Sequence, residues 1–553
     1  MKKFRKLLAL LLALAMVFSV LAGCASDEKD TAKPSDTSTP ADTGSDKPDA
    51  GEDKPGADFS SGEQDVHEAD TTDDFVRKTE EGTLTIGTNS TIDSFDPTGG
   101  SQSPALFVVH DSLIHIEPGT NELVPGLAES WEWSDDYLTC TFHLRDATFS
   151  DGTPVTSEDV YNSIYTYATT PGMAQSYYFN VDLENCSCPD EKTFVLKMSK
   201  VYAQMEYTLT TTWIFSKAFA ETATSEDWWN NPVVAGPYTV VENVDGAYTK
   251  LAAREDYWMG VPDAKEVTYK FFADSANEFI AYQAGELDVA MNIMSADAER
   301  IQRGEEKNTT LVITSAFDFK MLALCEYVPA LQNENVRKAI AHAIDRQACV
   351  DVAYGILATV QKSNMNDSAT FYKEMGVYEY DPDLARQMLA DEGYGEGDIT
   401  LRMIVFNTTT DQLLAETIQA YLAAVGITVN VESYNMPTAI PMFMQGECDI
   451  TLTGTGGGAY DAAQLFDKID ENGTDKSTII HDPELQEQIH LGSSTMDPAI
   501  RAEAYEKAQQ IMFDKCYSVP IANINNAYCY RSYISECRAL TGEKLNPFYV
   551  KFA

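Results

Sequence analysis

Between residues 138 and 144 the apolar side chains of Leu138, Cys140, Phe142 and Leu144 alternate with Thr139, Thr141 and His143, the period of a half-buried strand. Ser150-Asp151-Gly152 then supplies a turn. Thr156-Ser157-Glu158-Asp159 offers an N-cap hydroxyl and first-turn acids for a helix over 160–168. The same patterns predict strands over 83–87, 192–198 and 267–272, and a long apolar strand over 311–324. An amphipathic helix follows over 335–350, with Val336, Ile340, Ala343 and Ile344 on one face. Further on, helical and strand patterns interleave: helix 381–389, strand 399–406, helix 416–424, strand 426–431, strand 448–453, helix 462–469 and helix 501–514. That alternation predicts βαβ-like packing and an α/β class.

The N-terminus carries no such pattern. Lys2, Lys3, Arg5 and Lys6 precede an apolar run from Leu7 to Ala22, which reads as a signal peptide over 1–23 and is short for a membrane span. The run ends in Leu21-Ala22-Gly23-Cys24, a lipobox whose Cys24 is the expected lipidation site. Residues 24–82 then read as a lipidated cysteine and a disordered acidic tether, with too few large apolar residues to offset chain entropy.

The stretch from Ala128 to Val160 resembles the signature of the extracellular solute-binding protein family 5. The matching positions are Ala128, Ser130-Trp131, Ser134, Asp136, Thr139, Thr141-Phe142, Leu144-Arg145, Phe149, Asp151-Gly152, Pro154, Thr156 and Asp159-Val160. Further similar segments follow in order: Val233 to Val240, Arg254 to Trp258, Ala284 to Ala290, and Val336-Arg337-Lys338-Ala339-Ile340 with Ala343 to Arg346. The resemblance implies a two-lobed, periplasmic-binding-protein-like α/β fold of type II, of the large class with an extra subdomain. Lobe I is expected over 83–320 with an insertion at about 116–232, lobe II over 321–517, and a return to lobe I over 518–553. Two crossing strands, near 316–326 and 517–526, are expected to join the lobes. The implied function is the substrate-binding lipoprotein of an ABC importer, anchored on the extracytoplasmic face of the cell membrane. It would be a monomer that captures a solute, by default a peptide, and passes it to permease and ATPase subunits. An oligosaccharide or metal chelate as ligand, or a surface sensor without transport, is the alternative.

Composition narrows the rivals. With 39 basic against 86 acidic residues the net charge is -47, which repels nucleic-acid backbones. The nine cysteines after Cys24 are scattered and odd in number, so they do not read as a disulfide framework. No GxSxG, HExxH or P-loop motif occurs, and the seven histidines form no local cluster, so no catalytic residue, metal site or cofactor is expected. Gly454-Thr455-Gly456-Gly457-Gly458-Ala459 superficially matches a dinucleotide fingerprint but lacks the N-terminal βαβ setting. The resemblance places a ligand-contacting loop there instead. Expected cleft residues are therefore Phe95, Asp96, Asn292, Phe319, Met321, Thr455, Gly456, Tyr460 and Asp461. Asp461 reads either as an anchor for a ligand ammonium or as a helix cap.

Overall fold

A computed structural model describes residues 65–68, 82–99, 103–118, 122–170, 174–454, 461–473, 475–540 and 544–553. Cys24, Thr455, Gly456 and Tyr460 lie outside the described residues.

Two long strands organise the fold. Thr309–Leu324 and Ser518–Arg531 run antiparallel to one another, and both are buried along nearly their whole length because side chains from other elements cover both faces. On the first-lobe side Ser518–Arg531 pairs with the short strand Val289–Ala290, which lies parallel to Thr83–Thr88. Glu266–Phe271, Tyr248–Ala253 and Tyr238–Val244 then follow outward. On the second-lobe side Thr309–Leu324 pairs with Ile450–Thr453, which lies parallel to Ile399–Phe406, itself parallel to Ile427–Tyr434. The lobes therefore share one mixed sheet, with an antiparallel centre, a parallel block on each side of it and a further antiparallel edge at the first-lobe end.

At the centre the register slips. Ser315 faces Asn525 but Asp318 faces Ile524, so Ala316 and Phe317 are extra. Phe317 takes a left-handed φ of 49° and is buried. A bulge of this kind bends and twists its strand, and here it lies where the chain passes from one lobe to the other.

One part of the expected tether belongs to the fold. Asp65–His67 pairs antiparallel with Leu311–Ile313. The side chains of Val66 and His67 are exposed, so backbone hydrogen bonding to an otherwise open sheet edge holds the strand, and composition does not reveal that kind of pairing.

The signature stretch builds a separate layer. Ala128–Trp133 and Thr139–Leu144 form a hairpin that Thr193–Lys197 and Ser187–Asp190 extend to a four-stranded sheet. The helix Ser157–Thr169 packs on it, started by a reciprocal capping box between Thr156 and Asp159. Gly152, at φ 84°, makes the turn between them. Cys140, Phe142, Phe194, Leu196, Val160 and Ile164 fill the layer's core. The indole N–H groups of Trp131 and Trp133 both donate to Glu206 Oε1, at 2.7 and 3.0 Å.

The helix expected over 335–350 is two helices, Glu334–Ala343 and Arg346–Ala353. Asp345 breaks the run by capping the second, its Oδ1 accepting from Ala348 N at 3.0 Å.

Candidate ligand cleft

The lobes face one another across polar groups. Gln204 sits just ahead of the helix Met205–Thr210, and its Nε2 donates to Asp467 Oδ2 of the second lobe at 3.1 Å. Tyr207 OH lies 3.4 Å from Thr370 Oγ1. The Asp467 side chain reaches solvent yet is crowded by protein. That crowding raises its carboxyl to about 6, against the lowering effect of the Gln204 hydrogen bond. Lys468, also reaching solvent, donates from Nζ to the Gly454 carbonyl at 2.7 Å. Gly454 itself cannot carry a side chain, since a Cβ there would lie 2.0 Å from the Phe319 carbonyl oxygen.

A cavity of about 230 Å³ lies at the first-lobe end of the hinge. Its walls are the chain just beyond two parallel strands, at Asn89 and Asn292, and the crossing strands, at Thr314, Asn525 and Asn526; Leu357, which packs with Phe279, Leu287 and Ile301, adds to the wall. Carboxyl ends of parallel strands are where open α/β sheets hold ligands. The position of Asn292 is set by Glu278, which the helix Ser275–Gln283 carries inward. Glu278 accepts from Met291 N at 2.6 Å, Asn292 N at 3.2 Å and Asn292 Nδ2 at 2.9 Å. Burial pushes the Glu278 carboxyl up, and these three donors oppose it. The carboxylate passes so close to Gly87 that a Cβ there would meet Glu278 Cγ at 2.6 Å.

The expected site residues divide. Asn292 lines the cavity. Phe95 does not face a cleft: it is fully buried in the first-lobe core, its carbonyl bonded to His110 Nε2 at 2.8 Å. Asp96 closes a local turn, accepting from Thr98 N and Oγ1 at 2.9 and 2.7 Å. Phe319 and Met321 are core residues of the second lobe, packed with Phe466 and Met512, because the crossing strand is covered on both faces. Asp461 is buried, caps the helix Ala462–Phe466 and pairs with Arg501 Nη2 at 2.5 Å. Its charge is already answered from within the lobe.

The model of the bacterial extracellular solute-binding proteins, family 5 (middle region), matches residues 122–477, well over half of the chain. The chain belongs to this family. Among relatives, the dipeptide-binding protein of Escherichia coli is 24% identical over 480 residues, covering 80% of this chain and 89% of the relative. The ABC transporter substrate-binding protein CtaP of Listeria monocytogenes has the same fold, with a TM-score of 0.76 at 22% identity over 86% of this chain and 100% of that one. The Helicobacter pylori periplasmic binding protein DppA, solved with the peptide STSA, gives 0.72 at 21% identity over 85% and 98%.

Among the described residues no group of histidines, cysteines and acids is arranged to hold a metal ion, and no helix is long and apolar enough to cross a membrane. The family signature is structural in this chain: it forms a hairpin, turn and capped helix, and its Trp131 and Trp133 hold Glu206, two residues beyond the Gln204 that reaches Asp467.

Proposed function

We propose that this family 5 protein is the lipid-anchored receptor of an ABC importer, that it captures a peptide between its lobes, and that it delivers the peptide to a membrane permease for ATP-driven uptake. The observation that carries the peptide reading is Asp467. It stands at the junction of the lobes, and its hydrogen bond comes from an uncharged amide rather than from a cation. Asp461, by contrast, is neutralised by Arg501. A peptide α-ammonium would displace the Gln204 amide, satisfy Asp467 and touch both lobes at once. A ligand with that differential contact favours the closed arrangement. The relatives named as binding dipeptides, or solved with a peptide, support the same ligand class.

The test is a thermal-melting screen on a soluble form that begins ahead of Asp65, so that its strand is kept, refolded to remove co-purified ligand. Di- to hexapeptides should raise the midpoint, since a hundredfold excess over Kd adds about 2.7 kcal/mol. Silence with every peptide, together with a shift from nucleotides, would overturn the reading and return attention to the glycine run. Lipid anchoring is tested separately: labelled palmitate should be incorporated by the wild type and not by Cys24→Ala.

A further inference from the structure

We infer that Tyr177 and Phe179 form an aromatic shelf beside the junction of the lobes that packs the side chain of the ligand's first residue, so that the receptor favours peptides beginning with an aromatic or large apolar residue. The inference rests on the reading of Asp467 as the anchor for a peptide α-ammonium and names what stands next to that anchor.

Three observations carry it. The first is exposure on a fixed backbone. Phe179 is 69% exposed, more than any other large apolar side chain among the described residues, and Tyr177 is 42% exposed. The residues that alternate with them, Tyr178 and Asn180, are buried. Tyr178 stacks on Tyr167 at 5.8 Å and shares a hydrogen bond with Thr212 Oγ1, while the Asn180 carbonyl accepts from Ser199 N at 2.8 Å. A single exposed ring is ordinary. Here two are held out into water by a chain that is pinned at the residues between and after them, so little freedom is left to lose when a ligand covers them.

The second observation is continuity with the interlobe contact. The Phe179 ring meets the Tyr202 ring edge to face, with centroids 5.7 Å apart. Tyr202 OH donates to Gln204 Oε1 at 3.3 Å, and Gln204 Nε2 donates to Asp467 Oδ2 at 3.1 Å. Burial pushes the Tyr202 phenol up, and Asp467 and Tyr177 add to the effect, which places both of them near its oxygen. A peptide amine that displaced the Gln204 amide would therefore bring its own α-carbon, and the side chain on it, against Tyr202 and the rings beside it. The third observation is the surrounding charge. Asp470 and Asp461 stand near enough to Asp467 to raise its carboxyl further. An acidic first side chain would enter that field, whereas an apolar one would lose only its contact with water.

The experiment uses the refolded protein and three tripeptides, Phe-Ala-Ala, Ala-Ala-Ala and Ala-Ala-Phe, by calorimetry. In parallel, saturation-transfer NMR follows benzyl alcohol as a ring that carries no peptide terminus. Phe-Ala-Ala should bind at least about tenfold more tightly than Ala-Ala-Ala, a gain that Ala-Ala-Phe should not share. In Phe179→Ala that preference should collapse while Ala-Ala-Ala binds as before, and Phe179→Trp should keep it. Tyr177→Ala serves as the second variant and should weaken the preference. Equal affinity for Phe-Ala-Ala and Ala-Ala-Ala, a preference untouched by both alanine variants, or an equal loss for the two peptides in Phe179→Ala overturns the shelf while leaving the receptor reading intact. If no tripeptide binds but benzyl alcohol receives transfer that Phe179→Ala abolishes, the peptide reading fails and the shelf stands as a site for a ring of another solute. In every other case without tripeptide binding, both fall.

Discussion

Arg501→Met would remove the guanidinium from a buried ion pair while keeping most of the side chain's apolar stem. Arg501 donates to Asp461 Oδ1 at 2.5 Å and to the Gly492 carbonyl at 3.1 Å, and lies 4.8 Å from the Phe371 ring centre. The Asp461 side chain is only 1% exposed, so after the change its carboxylate would be left with the Ala463 N–H at 2.9 Å as its helix-cap contact and with no cation. Breaking one side of a buried pair typically costs about 3–5 kcal/mol. The double variant Asp461→Asn/Arg501→Met should lose less, about 2 kcal/mol or under, because Asn caps a helix as well as Asp and carries no charge. Urea unfolding at neutral pH is the assay. All six tryptophans lie between Trp131 and Trp258, so fluorescence follows the first lobe, and far-UV circular dichroism is needed to see the second. The Arg501→Met transition should move to lower urea by circular dichroism first. Equal losses in the single and double variants, or a single-variant loss below about 1 kcal/mol, would refute the argument that Asp461 is an internally compensated charge.

Asp467 gives a test of opposite character: at pH 6, where its carboxyl is partly protonated, binding a peptide with a free amine should release protons, seen as buffer-dependent calorimetric heats. N-acetylated peptides and Asp467→Asn should release none. His110 is buried and held neutral, its pKa lowered to about 4 by desolvation. Its contribution is whole above the unfolded value of 6.5 and is lost as the pH falls towards 4, by about 3 kcal/mol. In His110→Gln the acid-induced drop in melting temperature across that window should shrink. Gly87→Ala would force its Cβ to within 2.6 Å of Glu278 Cγ and 2.8 Å of Leu287 Cδ1. A stability loss of about 1–3 kcal/mol, together with weaker ligand binding through displaced Asn292, is expected from melting and titration.

Much of this architecture was legible in the chain. The strand at 138–144, the cap at Thr156 and the long apolar strand at 311–324 are local patterns of alternation, capping and apolar length, and each lies close to where the pattern puts it, whereas the second crossing strand followed from the family resemblance. The site was less legible because burial depends on both faces of a strand. Phe319 and Met321 stand beside the crossing point in sequence, but helices from far along the chain cover them. Phe95 follows a first strand as a cleft loop would, yet turns inward. Asp461 gave two readings, and its hydrogen bond from Ala463 N together with the arrival of Arg501 from another helix favours the cap. One signal was present and passed over. Asn523, Asn525 and Asn526 interrupt a strand whose other residues are mostly Val, Ile, Ala and Tyr, and amides in the middle of a buried strand conflict with their setting.

The interleaving of the two long strands also dictates an order of events during export. A chain threaded across the membrane from its N-terminus presents Thr83–Thr88 and Thr309–Leu324 well before Ser518–Arg531, yet the last of these lies between Val289–Ala290 and Thr309–Leu324 in the finished sheet. The first lobe cannot zip shut on its own; it must wait with an open seam while the whole second lobe emerges and folds within the gap. Pairings so distant along the chain form slowly. Until then the seam exposes unpaired backbone, and the repulsion of a net charge of -47 acts to keep unfinished copies apart.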